Sequence, residues 1–310
     1  MKRDHSAIRK TVSQLKKVYD FKGPLHFTDF LNLASINKLG SIYSRHFCQD
    51  QNVEFYDAAD QEVIHKTIID VQNCVRFYYK EKTMTLYRNE GIKEDGSNPH
   101  VPIPVYLLFD EEILYLDHTI FTDGNAGSGH TRYGTDHNFF YNMDWGTIFH
   151  RGPIYMEDGP EKWEFKRRRQ AELLSKEPIS LDYLRSIIFR CNADYKRACN
   201  LFGENKLYLV DPNMFNNERN YIKDYSIEII GSGEKRTLKL TFETNQPVKK
   251  HEKHGYKIFD MKDNLIERVP IAYHSPTERK FGLEVKNIPN HSFKFEFWLY
   301  DILSIEEIIR

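Results

Sequence analysis

The stretch KRRRQAELLSKEP, residues 166–178, places one carboxylate, Glu172, shortly behind three consecutive arginines and inside an apolar run. By propensity it reads as an amphipathic helix whose arginines lie on a solvated face and whose glutamate balances them. The other reading is catalytic. The rest of the chain decides between the two.

With 310 residues, 40% hydrophobic and 14% aromatic, the chain can fill the core of one large domain or two medium ones. No apolar run has the length to cross a bilayer, and the opening MKRDHSAIRK has no apolar core behind its charges as a signal peptide would. The expectation is a soluble protein that stays in the cytoplasm where it is made. Cys48, Cys74, Cys191 and Cys199 form no C-x-x-C pair, which argues against a zinc ribbon or redox motif and predicts free thiols. The net charge of -1 excludes a histone-like coat for nucleic acid, yet basic residues bunch at 2–17 and 166–169. A local basic groove remains open to a polyanion, since phosphate attraction acts within a Debye length of roughly 8 Å.

Ile8, Val12, Leu15 and Val18 recur at helical spacing with lysines opposite, so the N-terminal segment, 1–22, is predicted to be a helix ended by Gly23 and Pro24. A helix over 32–38, another over 59–70, the aromatic strand CVRFYYK and the buried strand VPIPVYLLFD follow. Residues 122–158 read as one long glycine- and asparagine-rich loop of the kind that carries function. After Ser180 comes a short apolar strand, then a helix from Asn192 to near Gly203. From Tyr225 onward YSIEII, RTLKLTFE, YKIFDM, FGLEVK and FKFEFWLY alternate apolar and polar residues between turn clusters, the pattern of a small β-sandwich. The expected organisation is a helix over 1–22, a main domain over 23–212 and a β-sandwich over 213–310.

Within LHFTDFLNLASINKLG, residues 25–40, His26 and Thr28 stand two apart on a strand and so face one side. Alone, such a histidine reads as an ordinary core or edge residue. Joined to other segments, the pattern resembles the DarT family of DNA ADP-ribosyltransferase toxins, whose first segment reads roughly Y-H-x-T-H-x-x-N-L-x-x-I-x-x-x-G-L; Leu25, His26, Thr28, Asn32, Leu33, Ile36 and Gly40 fall in register. CVRFYYKEKTMTLY, residues 74–87, is similar to the family's YVPFYFxPRxPMLY, and FTDGNAGSGHTRY, residues 121–133, to its FTDGHA segment followed by a Thr-Arg pair. RRRQAELL, residues 167–174, resembles RRRQAEFLV, in which the glutamate is catalytic.

The resemblance implies an α+β ADP-ribosyltransferase fold, split sheets around an NAD cleft, with the C-terminal β-sandwich outside the match. It places Glu172 on a strand against its propensity and makes it the catalytic residue. It implies NAD as substrate, held by His26, Phe27, Thr28, Asn32, Gly40, Arg45 and Tyr78, with Arg45 suited to pyrophosphate and Tyr78 to the nicotinamide ring. Single-stranded DNA is the implied acceptor, with thymine or guanine modified, and Thr122, Asp123, Asn125, Arg132, Trp145, Arg167, Arg168 and Arg169 are the candidate contacts. It also implies toxin behaviour and a macrodomain antitoxin.

Several positions depart from the family pattern. Lys66 stands in a stretch where the family has an arginine that assists the acceptor base, and Lys82 where its P-R pair has one; both are candidate catalytic residues. Asp29 replaces the second histidine of the first motif, and Asn125 the histidine of TDGHA. HEKH, residues 251–254, lacks further ligands nearby, so no metal is expected. Glu111 and Glu112 read as a solvated turn. No Rossmann fingerprint or P-loop appears. Transfer to RNA or protein, or a catalytically silent binding module, are the alternatives.

Overall fold

In a computed structural model of the chain, residues 4–58, 69–94, 100–248, 254–271 and 277–310 are described. They form two compact units, one of residues 1–89 and 105–187, the other of residues 90–104 and 188–310.

Helix α1 (His5–Tyr19) begins the first unit; Asp4 caps it by accepting from Ala7 N at 3.1 Å. Ile8, Val12 and Leu15 are buried as their spacing predicts, but Val18 is 68% exposed. The helix ends one residue after Val18, where Asp20 turns left-handed at φ 57°. Tyr19 packs in its place, its ring 4.9 Å from that of Phe149. Gly23, expected to stop the helix, has φ +137°, and a Cβ there would stand 2.2 Å from Phe109 O. Only glycine lets the chain pass so close to a neighbouring strand.

The first unit carries β1 (Leu25–Asp29), β2 (Ser41–Ile42), β3 (Val75–Tyr78), β4 (Pro104–Phe109), β5 (Thr119–Thr122), β6 (Tyr133–Gly134), β7 (Glu172–Ser175) and β8 (Ile179–Ser180). The main sheet runs β4-β1-β3-β7-β5-β6, with β9 (Leu184–Phe189) beside β4, while β2 and β8 form a separate pair. All six residues of β4 are buried, which is why it reads as an unbroken apolar run. Helices α2 (Leu33–Leu39) and α3 (Arg45–Asp50) follow β1. Of the helix expected over 59–70, residues 59–68 lie outside the described residues; Ile69–Gln72 is helical.

The expected loop over 122–158 holds β6 and the short helices His137–Tyr141 and Trp145–Ile148. Asp136 caps the first by accepting from Phe139 N at 2.9 Å, and Asp144 the second by accepting from Thr147 N at 3.1 Å. One-turn elements set by a capping aspartate leave no periodic signal in the sequence.

In the second unit, helix Asn192–Phe202 precedes β10 (Tyr208–Val210), β11 (Ile222–Ile230), β12 (Thr237–Thr244), β13 (Gly255–Phe259), β14 (Leu265–Pro270), β15 (Lys280–Lys286), β16 (Phe293–Leu299) and β17 (Ile302–Ile309). Two antiparallel sheets, β11-β12-β15 and β14-β13-β16-β17, share one core that includes Leu240 of β12 and Phe293, Phe295 and Phe297 of β16. Phe242 and Phe297 bridge the sheets with ring centroids 4.8 Å apart. This is the sandwich that the alternating strands predicted. Strands β14 and β17 escaped the sequence reading: β14 is an edge strand exposed at five of its six positions, and β17 pairs with β16 across a bulge that breaks the alternation. Among the described residues no helix is long and apolar enough to cross a membrane.

Candidate active site

The three arginines and the glutamate behind them fall on different elements. Helix Pro160–Arg168 ends within the arginines, and Glu172 opens β7. Cross-strand pairing overrides the helical propensity of AELLS: Tyr78 of β3 pairs with Glu172, and Phe121 of β5 with Leu173.

Glu172 is 0% exposed. Its Oε2 accepts from Arg76 Nε at 2.5 Å, and its Oε1 from Arg76 Nη2 at 2.7 Å and Ala126 N at 3.0 Å. The guanidinium fork thus grips both oxygens. Burial opposes the charge on Arg76, but the Glu172 carboxylate, together with the nearby Tyr78, more than offsets it and raises the arginine above its ordinary pKa. The sequence reading passed over Arg76. Its signal was a lone charge inside the aromatic strand VRFY, and 35% of its side chain remains open to solvent.

Residues paired across antiparallel strands send their side chains to one face, so Tyr78 and Glu172 share a face, and Arg76, two positions back, joins them. Tyr78 is 5% exposed and stacks on Phe27, with ring centroids 5.6 Å apart. Burial, and then the nearby carboxylate, push the Tyr78 phenol up to about 12. Tyr133, 39% exposed, donates to Ala126 O at 2.7 Å, on the residue whose amide bonds Glu172.

The loop that delivers Ala126 N is braced at each turn. Asp123 accepts from Arg132 Nε at 2.8 Å and from Arg167 Nη1 at 2.8 Å. Arg167 is 5% exposed and spends its other donors on Thr131 Oγ1 and Glu164, so its guanidinium holds the loop. A Cβ on Gly124 would meet Arg167 Nη1 at 2.2 Å, which explains the glycine of TDG. Asn125 Oδ1 accepts from Gly127 N at 2.8 Å. Thr122 Oγ1 accepts from Glu172 N at 2.8 Å and its hydroxyl donates to Gly124 O at 2.7 Å. Thr122→Val strands a buried amide and a buried carbonyl, and we expect it to lower stability by about 1–3 kcal/mol in urea unfolding.

The remaining sequence candidates separate. His26 Nδ1 is 2.9 Å from Arg76 O and its ring packs edge-on to Phe77, on the face of β3 opposite Tyr78. Burial lowers its pKa against the pull of that carbonyl. Thr28 Oγ1 accepts from Asn32 Nδ2 at 2.8 Å, and Asn32 clamps Tyr56 by accepting from its N at 2.6 Å and donating to its O at 3.1 Å. Asp29 accepts from Leu31 N at 3.0 Å and so caps the turn that leads into α2. Gly40 ends α2 at φ +67°. Arg45 pairs with Asp57 through Nη2, while its buried Nε and Nη1 have no partner among the described residues. Arg132 is 78% exposed beyond its bond to Asp123, and Arg168 pairs with Glu164 and Asp144. Arg169 Nε donates to His150 O at 3.1 Å.

Trp145 is a core residue, 8% exposed, with its Nε1 donating to Phe140 O at 3.1 Å. Lys82 is exposed, and its backbone N donates to Tyr106 Oη at 3.0 Å from a left-handed conformation, φ 52°. Lys66 lies outside the described residues, as do the first three residues of HEKH. His254 Nδ1 accepts from Tyr300 N at 3.1 Å, and the described residues contain no cluster of three or more side chains fit to hold a metal.

A family profile described as "ssDNA thymidine ADP-ribosyltransferase, DarT" matches residues 25–216, more than half of the chain. Of the two bases that the sequence left open, that description names thymidine. Among solved structures the chain is similar to Thermus sp. 2.9 DarT in complex with ADP-ribosylated ssDNA, at 15% identity and a TM-score of 0.51 over 64% of this chain and 97% of that one. It is similar to Thermosipho africanus DarTG in complex with ADP-ribose, at 20% identity and a TM-score of 0.51 over 63% of this chain and 51% of that one. Thermus sp. 2.9 DarT in complex with NAD+ overlaps 63% of this chain and 98% of its own, at 14% identity and a TM-score of 0.49. A search of curated proteins gives no match. At these identities the structural likeness is one of fold, and the profile match carries the assignment: the chain belongs to the DarT family of ssDNA thymidine ADP-ribosyltransferases.

Proposed function

We propose that the chain transfers ADP-ribose from NAD to a thymine base of single-stranded DNA, with Glu172 as the residue that acts on the reacting ribose. The observation that carries this is the fully buried carboxylate, fixed by Arg76 and Ala126 N on the face it shares with Tyr78. In the reaction the bond between ribose and nicotinamide breaks, and its electron pair leaves with nicotinamide. The ribose carbon becomes electron-poor until the base forms the new bond and gives up its proton. A preoriented carboxylate stabilises that positive charge more than it stabilises intact NAD, which lowers the barrier.

Arg76 covers both carboxylate oxygens, so the guanidinium turns aside as the ribose enters. Its partly open side chain gives it room to do so. Arg45 fits the dinucleotide: its buried Nε and Nη1 have no partner among the described residues and are free to donate to pyrophosphate oxygens. Thr28 and Asn32 fix the backbone around Tyr56 behind it. Single-stranded DNA then meets the open side, where Arg132 and Tyr133 are exposed. We place the protein in the bacterial cytoplasm and give it a macrodomain antitoxin as partner.

Incubation with NAD and single-stranded DNA, RNA or cell protein, followed by mass spectrometry, tests the proposal. The expected result is one ADP-ribosyl group on thymidine-containing single-stranded DNA and nicotinamide in equal amount. Addition to RNA or protein alone, or NAD left intact with every acceptor, contradicts it.

A further inference from the structure

Lys80 and Arg169 converge on a single neutral atom. Lys80 is 5% exposed and its Nζ donates to His150 O at 2.5 Å, the same oxygen that Arg169 Nε reaches at 3.1 Å. Among the described residues neither cation has a carboxylate partner in an ion pair; the nearby Glu81 is taken by Arg151 at 2.9 Å. His150 Nδ1, on the residue that supplies the oxygen, is buried with no partner among the described residues. Burial, then Arg169, lowers Lys80 to about 7 despite Glu81, so the site is short of negative charge. Two cations crowded on one carbonyl are costly unless an anion completes the cluster.

The position of the cluster narrows that anion. Lys80 follows Tyr78 by two residues and Arg169 precedes Glu172 by three, and Tyr78 and Glu172 are cross-strand partners. Both segments therefore leave the same end of the β3–β7 ladder, next to the proposed catalytic carboxylate. Arg45, on α3, already offers its two unspent donors, Nε and Nη1, to the dinucleotide.

Resting on the proposed function, we infer that Lys80, Arg169 and the His150 ring form a phosphate site for the DNA strand, gripping a phosphodiester next to the base that is modified. The dinucleotide's own phosphates share this chemistry, and the test separates the two sources. Binding of a short thymidine-containing oligodeoxynucleotide is measured by fluorescence anisotropy without NAD, over a salt series, for wild type, Lys80→Met, Arg169→Met and the double variant. The double variant is expected to bind roughly tenfold more weakly, with a salt slope shallower by about 0.7, the step for one fewer neutralised phosphate on a single strand. Lys80→Met should melt at or above the wild-type temperature, because a buried, uncompensated charge is gone, so weaker binding would not reflect unfolding. Unchanged affinity and slope in the double variant overturn the inference. So does a raised KM for NAD with oligonucleotide binding intact, which assigns the cluster to the dinucleotide. A wild type that binds the oligonucleotide through this cluster but adds nothing to it sinks the proposed reaction alone.

Discussion

Glu172→Gln is expected to lower the rate of ADP-ribose transfer on the order of 10² to 10³ fold, with little change in the binding of oligonucleotide. The substitution keeps the shape of the side chain and an oxygen able to accept from Ala126 N, now bonded to Oε1 at 3.0 Å. It removes the negative charge that, in the proposed reaction, opposes the cation forming on the ribose. A loss in kcat with KM for NAD nearly constant is the signature of a group that acts in the transition state. Single-turnover kinetics with labelled NAD reads this directly. A variant as fast as wild type would remove Glu172 from the chemistry.

Arg76→Ala has the largest expected effect on the fold. It leaves a carboxylate that is 0% exposed without the cation that now bonds both its oxygens. Breaking such a pair from one side costs about 3–5 kcal/mol where both partners are buried. The lower end applies here, because 35% of the Arg76 side chain is open and water screens part of the interaction. Transfer should fall as well, since the carboxylate loses the fork that orients it. Arg76→Lys restores charge without the two-pronged grip and should recover stability more than rate. Unfolding in urea and initial rates, taken together on both variants, check this. If Arg76→Ala is as stable as wild type, the ion pair does not hold the site.

Much of this site was legible because strands and their breaks leave marks in sequence. The buried strand β4, the aromatic strand β3 and the alternation in β12 and β16 all stand where their patterns put them. Glu172 was placed by resemblance and against propensity, since the pairing with β3 and β5 that decides its conformation is a long-range fact. The arginines were harder. Arg167, Arg168 and Arg169 look alike in sequence, yet one is locked to Asp123 and Glu164, one is paired at the surface, and one shares a carbonyl with Lys80. Which donors remain unspent depends on Asp123, Glu164 and His150, and sequence spacing does not encode those distances. Trp145 illustrates the same limit: an aromatic in a glycine-rich stretch suggests a stacking platform, but Tyr79, Phe140 and Phe149 surround it. Arg76 went unnoticed because strand CVRFYY was read for its apolar face, and the partner that explains its charge lies 96 residues away.

The most direct measurement is the structure of the protein bound to a non-hydrolysable NAD analogue. The account predicts that a Glu172 oxygen lies within hydrogen-bond distance of the nicotinamide ribose and that the Arg76 fork has released at least one carboxylate oxygen. A ribose seated away from Glu172, with both Arg76 bonds still closed, would contradict it.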